Sequence, residues 1–188
     1  MSQTRILVLV GSLRAASINR RLAEAAVQTA ADGVELSIYD GLGDIPFYNE
    51  DIDAEGKVPA AAQALRDAVG ESDALLLLTP EYNGTLPAVL KNAIDWASRP
   101  YGAGALKGRP VAVISASISQ NAAKWSHADA VKALGVAGAS VVEEASLHFG
   151  TIGSRFVETH PADDAEALTQ LAASVHLLAE AARARANV

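Results

Sequence analysis

The first residues that could do chemistry lie in a polar segment, residues 11–19, which follows an apolar run near the N-terminus. Ser12, Ser17 and Asn19 offer hydrogen-bonding side chains, and Arg14 adds a positive charge. A helical pattern follows, so the segment also supplies the unpaired backbone amides of a helix N-terminus, which bind phosphate groups. It matches neither G-x-x-x-x-G-K-S/T nor G-x-G-x-x-G, which favours a terminal phosphomonoester over a triphosphate or a pyrophosphate. The alternative is that Ser17 or Asn19 only caps the helix while Arg14 is solvated.

A second polar segment, residues 79–87, follows another apolar run and contains two prolines and a glycine, which make it stiff. Tyr82 offers an aromatic surface, and Glu81 and Asn83 could orient a flat heterocycle. Pro87 suits the first position of the helix predicted to follow. Because an ordinary connection from strand to helix uses the same residue types, this segment alone does not decide for a ligand.

Other chemistries find little support in the sequence. The chain has no cysteine, which excludes disulfides, thiolate nucleophiles and Cys-ligated metals. The histidines show no metal-binding spacing, so we expect no metal site; they are His127, His148, His160 and His176. His127 could reach the mouth of a site or simply lie on the surface. No nucleophile can be paired with a base by pattern, and we therefore expect no catalytic side chain.

The polar segments need a scaffold that brings the ends of strands together. Unbroken apolar runs predict strands covered on both faces at residues 6–10, 74–78 and 111–114. Weaker patterns predict strands at 34–38 and at 139–142, the latter extending or resuming toward Leu147 and Phe149. Helical patterns lie between them at residues 19–31, 60–69, 87–97, 120–134 and 163–186. This alternation predicts one α/β domain over residues 1–188, with a doubly wound parallel sheet that binds ligands at the carboxyl ends of its strands.

The overall composition bounds the possible partners. In 188 residues, 15 Lys and Arg stand against 22 Asp and Glu, a net charge of −7. This acidic balance argues against nucleic acid or an anionic membrane as a partner. The sequence has neither a long apolar span nor a signal-peptide pattern, so we expect a cytoplasmic protein.

Taken together, three blocks resemble the NADPH-dependent FMN reductase family. They are G-S-L-R-x-x-S-x-N at 11–19, P-E-Y-N-G-x-x-P at 80–87 and L-K-N-A-I-D-W at 90–96. The resemblance extends from the first strand to about Val142, and it implies non-covalently bound FMN in a flavodoxin-like five-stranded sheet of order 2-1-3-4-5 with helices on both faces. It implies contacts to the FMN phosphate from Ser12, Arg14, Ser17, Ile18 and Asn19, and contacts to the isoalloxazine ring from Pro80, Glu81, Tyr82 and Asn83.

The resemblance also implies a third contact loop, residues 115–125, in which Ser115 and Ser117 match the family pattern. The glycines that usually follow are absent, since Ile118, Asn121, Ala122 and Ala123 occupy the positions where glycine is expected. This departure puts the third loop's approach to the flavin in question. The alternative is that the two serines are ordinary strand-end hydroxyls.

An enzymatic function follows from the resemblance. It implies transfer of a hydride from NAD(P)H to flavin N5, then of two electrons to a quinone, azo or nitro compound, chromate or free flavin on the same face, with ping-pong kinetics. It also implies a homodimer or homotetramer. The alternative is a flavodoxin-type electron carrier that serves a protein partner, although the Thr/Gly-rich phosphate loop of such carriers is missing here. A receiver-type regulatory domain would need acidic residues where Gly11-Ser12 and Thr79-Pro80 stand.

A long acidic segment, Asp40–Glu55, follows the second predicted strand. Loops of this length are often functional or mobile. Its Pro46, Phe47 and Tyr48 are apolar enough to pack on the domain or on another subunit, while the alternative is a solvated loop with one anchor. We expect Trp96 to pack under the flavin loop or in an interface.

Overall fold

The computed structural model describes residues 3–186. The first two residues of the N-terminal segment, in which no signal-peptide pattern was found, therefore lie outside the described residues. The strands are β1 (Thr4–Val10), β2 (Val34–Ile38), β3 (Ala74–Thr79), β4 (Pro110–Ala116), β5 (Ser140–Val141) and β6 (Leu147–Phe149). The α-helices are α1 (Ile18–Gln28), α2 (Ala60–Glu71), α3 (Ala88–Ala97), α4 (Lys124–Val136), α5 (Ile152–Arg155) and α6 (Ala165–Ala186). Single 3₁₀ turns lie at Leu42–Asp44, Glu50–Ile52, Glu143–Ala145 and Pro161–Asp163.

The sheet is parallel, with the order β2-β1-β3-β4-β5, which confirms the predicted flavodoxin-like arrangement. The fifth strand is interrupted: β5 pairs with the start of β4 and β6 with its end. Between them, the Ser146 hydroxyl accepts a hydrogen bond from the Val113 amide at 3.2 Å, so a side chain takes the place of the missing strand carbonyl. The prediction that this strand resumes toward Leu147 and Phe149 is therefore confirmed.

Both faces of the central strands are buried, because alternate side chains enter two separate cores. Val8, Leu76 and Ile114 pack with α1 and α6 on one face. On the other face Leu75 and Val113 pack with α2, α3 and α4. Layers on both sides hold the carboxyl ends of β1, β3 and β4 in one row, where the polar segments emerge.

Helix ends differ from the sequence prediction in places that bear on the site. The helix predicted over 120–134 begins only at Lys124, because Ala122 and Ala123 adopt left-handed backbone angles, with φ of 55° and 57°. The short helix α5 has too few residues to show a periodic pattern. Within residues 3–186, no helix has the length and apolar character to cross a membrane.

Candidate functional site

The first loop runs from β1 to α1 and presents backbone amides and the exposed side chain of Arg14. The Ser17 hydroxyl caps α1 by accepting from the Arg20 amide at 3.4 Å. Within residues 3–186, no acceptor is found for the amides of residues 12, 13, 15, 16, 18 and 19. Arg14 is exposed, and its guanidinium makes no ion pair or hydrogen bond within residues 3–186. The loop thus offers several donors to an anion, and the predicted phosphate contacts of these residues remain a prediction.

A cavity of about 380 Å³ lies beside this loop, lined by Ser12, Arg14, Arg20 and Asp40 among others. The Arg20 guanidinium is already paired with the carboxylates of Glu24 and Asp40. Of the two arginines here, Arg14 therefore remains to neutralise an added anion.

The first loop reaches the second through Gly11. A Cβ atom at Gly11 would lie 2.6 Å from Cδ1 of Leu90 and 3.1 Å from Cδ of Pro80. Its amide donates to the Leu78 carbonyl at 2.8 Å. A side chain here would crowd both Leu90 and Pro80, so glycine lets the first loop approach the second closely.

The second loop is a tight turn from Tyr82 to Thr85, whose amides each donate to the other's carbonyl at 3.2 Å. Asn83 and Gly84 have φ of 52° and 74°, the type I′ geometry that an Asn-Gly pair favours. Pro80 is buried, whereas Tyr82 and Asn83 are exposed at the tip. The turn therefore offers an aromatic ring and an amide to the space above the sheet.

Glu81 lies at the start of the second loop, and its side chain turns toward α4. The carboxylate accepts hydrogen bonds from the amides of Trp125 and Ser126 at 3.1 and 3.2 Å. Contact of Glu81 with a cofactor remains a prediction, and any such contact would involve its backbone, because the carboxylate is engaged at α4.

The third loop keeps a glycine-like shape without glycines. The amide of Ala122 donates to the Ser119 carbonyl at 3.2 Å, and Ser115 donates its hydroxyl to the Ala122 carbonyl at 2.7 Å. The space that this crowded turn needs comes from Gly150, where a Cβ atom would lie 3.3 Å from the Ser119 oxygen. Ser115 is fully buried, so its hydroxyl supports the loop from below, while Ser117 is half-buried at the surface.

Two histidines pack behind the third loop. The rings of His127 and His148 meet edge to face with 4.5 Å between centroids, and His148 Nδ1 lies 2.7 Å from the Ser115 hydroxyl. Burial, with a smaller effect of His148, lowers the pKa of His127 to about 4. Burial and then Lys124 lower the pKa of His148. Both rings are therefore neutral at pH 7, and within residues 3–186 no group of metal-ligating side chains accompanies them.

The sequence did not single out His148 or Gly150, because only the pairing of β6 with β4 places them beside the third loop.

The acidic segment is anchored on α3. The Pro46 carbonyl accepts from Trp96 Nε1 at 2.8 Å, and the Tyr48 amide donates to Asn92 Oδ1 at 2.8 Å. Trp96 is thus fully buried under this segment rather than under the second loop, while Phe47 stays exposed.

Two buried polar atoms in the contact loops lack a partner within residues 3–186: Oδ1 of Asn19 and Nδ2 of Asn121. Such atoms cost free energy unless a ligand or water satisfies them. The unpaired amides, Arg14 and Nδ2 of Asn121 offer donors, and Oδ1 of Asn19 offers an acceptor. This mixed set fits a phosphorylated, flat, polar-edged group such as FMN.

Comparison with known proteins agrees with this geometry. Residues 4–153 match the family model of NADPH-dependent FMN reductases. A quinone reductase of Pseudomonas putida strain KT2440 is 49% identical over 118 residues, 62% of each chain. A 2-hydroxy-1,4-benzoquinone reductase of Burkholderia is 42% identical over 114 residues, 61% of each chain. The match thus spans about three fifths of these curated relatives.

A solved structure is similar over nearly the full length. It is FerB of Paracoccus denitrificans, described as a flavoenzyme NAD(P)H:(acceptor) oxidoreductase. Its TM-score is 0.84 at 31% identity, and the superposition covers 96% of this chain and 98% of that one.

Proposed function

This chain belongs to the NADPH-dependent FMN reductase family, and we propose that it is an FMN-dependent NAD(P)H oxidoreductase whose acceptors are quinones. The P. putida and Burkholderia relatives are named as quinone reductases, which supports the choice of quinone among the possible acceptors. A cytoplasmic location is part of the proposal, because NAD(P)H must reach the protein.

The observation that carries the proposal is the set of unsatisfied donors in the first loop. Arg14 would hold the FMN phosphate together with the amides that have no acceptor within residues 3–186, which are those of residues 12, 13, 15, 16, 18 and 19. The Ser12 hydroxyl and the Asn19 side chain lie in the same loop. Ser17 and Ile18 complete this set at the start of α1. Charge-assisted hydrogen bonds of this kind are among the strongest that a protein makes with phosphate.

The second loop would take the isoalloxazine ring, with Pro80 to Asn83 along one side and Ser117 at the third loop opposite. Bound FMN supplies two-electron chemistry, in which NAD(P)H, a proton and a quinone give NAD(P)⁺ and a hydroquinone. The chain's own residues bind and orient the reactants, and Tyr82 lies open at the tip of the turn for this purpose.

Ping-pong kinetics form part of the proposal, because donor and acceptor would use one open surface above the second loop in turn. Steady-state rates measured against both substrates test it. Parallel double-reciprocal lines are expected, and intersecting lines would show that both substrates bind at once.

A homo-oligomer is also proposed, with a second copy in a groove of about 600 Å³ between α3 and α4. Exposed Tyr101 and Val136 line the groove, and Thr85 connects it to the second loop. Lysines and aspartates both line it, so a two-fold related copy would meet opposite charges. Light scattering on wild type and Val136→Asp tests this: the variant is expected to have the smaller mass.

The decisive experiment is to purify the protein, measure bound flavin by its absorbance, and titrate it anaerobically with NADPH and with NADH. Bleaching by a nicotinamide alone supports the reductase. A protein that binds FMN but is bleached only with an added reductase would be a flavodoxin-type carrier. A protein that neither carries nor binds FMN would contradict both functions.

A further inference from the structure

Trp125 is a large aromatic side chain left in solvent at the edge of the candidate site. Its side chain is 63% exposed, whereas Trp96 is fully buried with its indole N–H bonded to Pro46. The indole edge of Trp125 lies against the second loop, 3.5 Å from where a Cβ of Gly84 would be. An exposed indole gains little for the fold, since burial would remove much more apolar area from water.

The position of Trp125 is fixed by Glu81 of the second loop. Helix α4 begins after Ala123, which has left-handed angles and provides no side-chain cap. The carboxylate of Glu81 supplies the cap instead, accepting from the amides of Trp125 and Ser126. A negative charge at this end of the helix is also favoured by the helix dipole.

Two further contacts tie the same elements together. The Thr85 hydroxyl donates to Asp129 Oδ2 at 2.5 Å, one turn further along α4. The hydroxyls of Thr79 and Ser126 lie 2.6 Å apart in the interior. These contacts join the turn to the first two turns of α4, so the backbone that carries Trp125 is tied to the turn that carries Tyr82.

We propose that Trp125 is a specificity-determining residue that forms a side wall of the electron-acceptor site, and that Glu81 is the positioning residue that holds it there. The ligand class is a flat aromatic acceptor, because an indole face packs well on a flat, electron-poor ring such as a quinone. Tyr82, which is 48% exposed on the adjoining turn, gives this wall an aromatic neighbour. This inference rests on the proposed function and specifies its acceptor.

The first test compares Trp125→Ala, Trp125→Phe and Val157→Ala by steady-state kinetics with 1,4-naphthoquinone and with ferricyanide. Val157 is the control, because it is 65% exposed and directly follows Phe156, which belongs to the core on the other face of the sheet. Trp125→Ala is expected to raise the KM for naphthoquinone roughly tenfold, the effect of a lost aromatic contact. In Trp125→Phe the KM for naphthoquinone should lie close to the wild-type value. Val157→Ala should leave the KM for both acceptors unchanged.

The role of Glu81 is tested on the protein without flavin as well. Acrylamide quenching of fluorescence reports Trp125, because the other tryptophan is buried. Glu81→Ala should change the quenching constant, and it should raise the KM for naphthoquinone by a larger factor than it lowers kcat. Glu81→Gln keeps one acceptor oxygen, so its changes in the quenching constant and in KM should be smaller. In the double variant with Trp125→Ala, the KM should equal that of Trp125→Ala alone, whereas additive effects would overturn the positioning role.

The possible failures are distinguishable. If wild type turns over quinones and Trp125→Ala keeps its KM for naphthoquinone, the side-wall role is wrong while the reductase stands. An equal rise for naphthoquinone and ferricyanide also overturns it, because the wall should not affect an inorganic acceptor. If the wild-type protein binds no FMN, the proposed function is wrong, and so is the role of Trp125 as a side wall of the electron-acceptor site.

Discussion

The hydroxyl oxygen of Ser115 lies 2.7 Å from Nδ1 of His148. The same hydroxyl lies 2.7 Å from the Ala122 carbonyl, which can only accept, so its proton goes there. Nδ1 of His148 must therefore carry the ring proton and donate it to Ser115. One buried hydroxyl thus joins β4, β6 and the third loop.

Replacing Ser115 with alanine should destabilise the protein, because it leaves both the His148 N–H and the Ala122 carbonyl without this partner. We expect the free energy of unfolding to fall by about 1–3 kcal/mol. Urea denaturation of the flavin-free protein measures it. Ser117→Ala is the control, because within residues 3–186 the Ser117 hydroxyl bonds only to Ser119, near the surface. This variant should lose about 0.5 kcal/mol or less. Equal losses would contradict the buttress role of Ser115.

Ala122 and Ala123 hold the third loop in a conformation that suits glycine. A left-handed L-residue costs roughly 1–2 kcal/mol, while the extra freedom of glycine in the unfolded chain costs roughly 0.5–1 kcal/mol. Each substitution also removes a buried methyl group worth about 0.8 kcal/mol, so Ala122→Gly and Ala123→Gly should leave the thermal stability nearly unchanged. Ala128→Gly, at an exposed position inside α4, should instead lose about 1 kcal/mol. Destabilisation by all three would show that the alanines are not strained.

These left-handed alanines also show where prediction from sequence ends. The central strands were predictable, because runs such as Ala74–Leu78 are apolar on both faces and the sheet buries both. Alanine is the best helix former, so the pattern extended the fourth helix back to Gln120, and nothing local signals a positive φ at Ala122. That conformation depends on Ser115 and Gly150, which join it only after β4 and β6 have paired.

The candidate site likewise has features that local sequence predicts and features that depend on contacts between distant residues. The donors of the first loop were predictable because they are contiguous in sequence and their role depends only on a strand-to-helix turn. The carboxylate of Glu81, a residue that the resemblance places beside the flavin ring, caps α4, 44 residues further along the chain. Local sequence carries no information about such a contact. Trp96 is similar, since its indole bonds a carbonyl 50 residues away.

Acid should weaken the fold through His127. The unfolded chain protonates this ring near pH 6.5, whereas burial lowers its pKa in the folded protein to about 4. Between these values the unfolded state binds more protons, so the free energy of unfolding falls as the pH is lowered, by about 2–3 kcal/mol at pH 4. Above about pH 6.5 both states are neutral and the effect vanishes.

Urea denaturation of His127→Leu across this range measures the effect, and the variant should show a flatter dependence on pH. His148 contributes in the same direction, because burial and Lys124 lower its pKa, while Glu143 opposes. Asp164, whose pKa Arg155 lowers to about 2, acts at lower pH. Exposed His176→Gln is the control and should keep the wild-type slope. An unchanged slope in His127→Leu would mean that its ring is solvated in the folded protein.

Arg14 should matter for the phosphate of FMN and for little else. Since its guanidinium has no partner within residues 3–186, Arg14→Ala should leave the free energy of unfolding almost unchanged. FMN affinity should fall by about 1.5–3 kcal/mol, the usual value of a charge-assisted hydrogen bond. Riboflavin, which lacks the phosphate, should bind the variant and the wild type equally well.

Fluorescence titration of both flavins measures the difference, with Arg5→Ala as the charge-matched control. Arg5 is exposed near the amino end of β1, at the opposite edge of the sheet from the first loop, so its loss should leave both affinities unchanged. The Arg14 effect should shrink at high salt, because ions screen an exposed charge. An equal loss for FMN and riboflavin would show that Arg14 shapes the loop instead. Unchanged FMN affinity would remove it from the phosphate site.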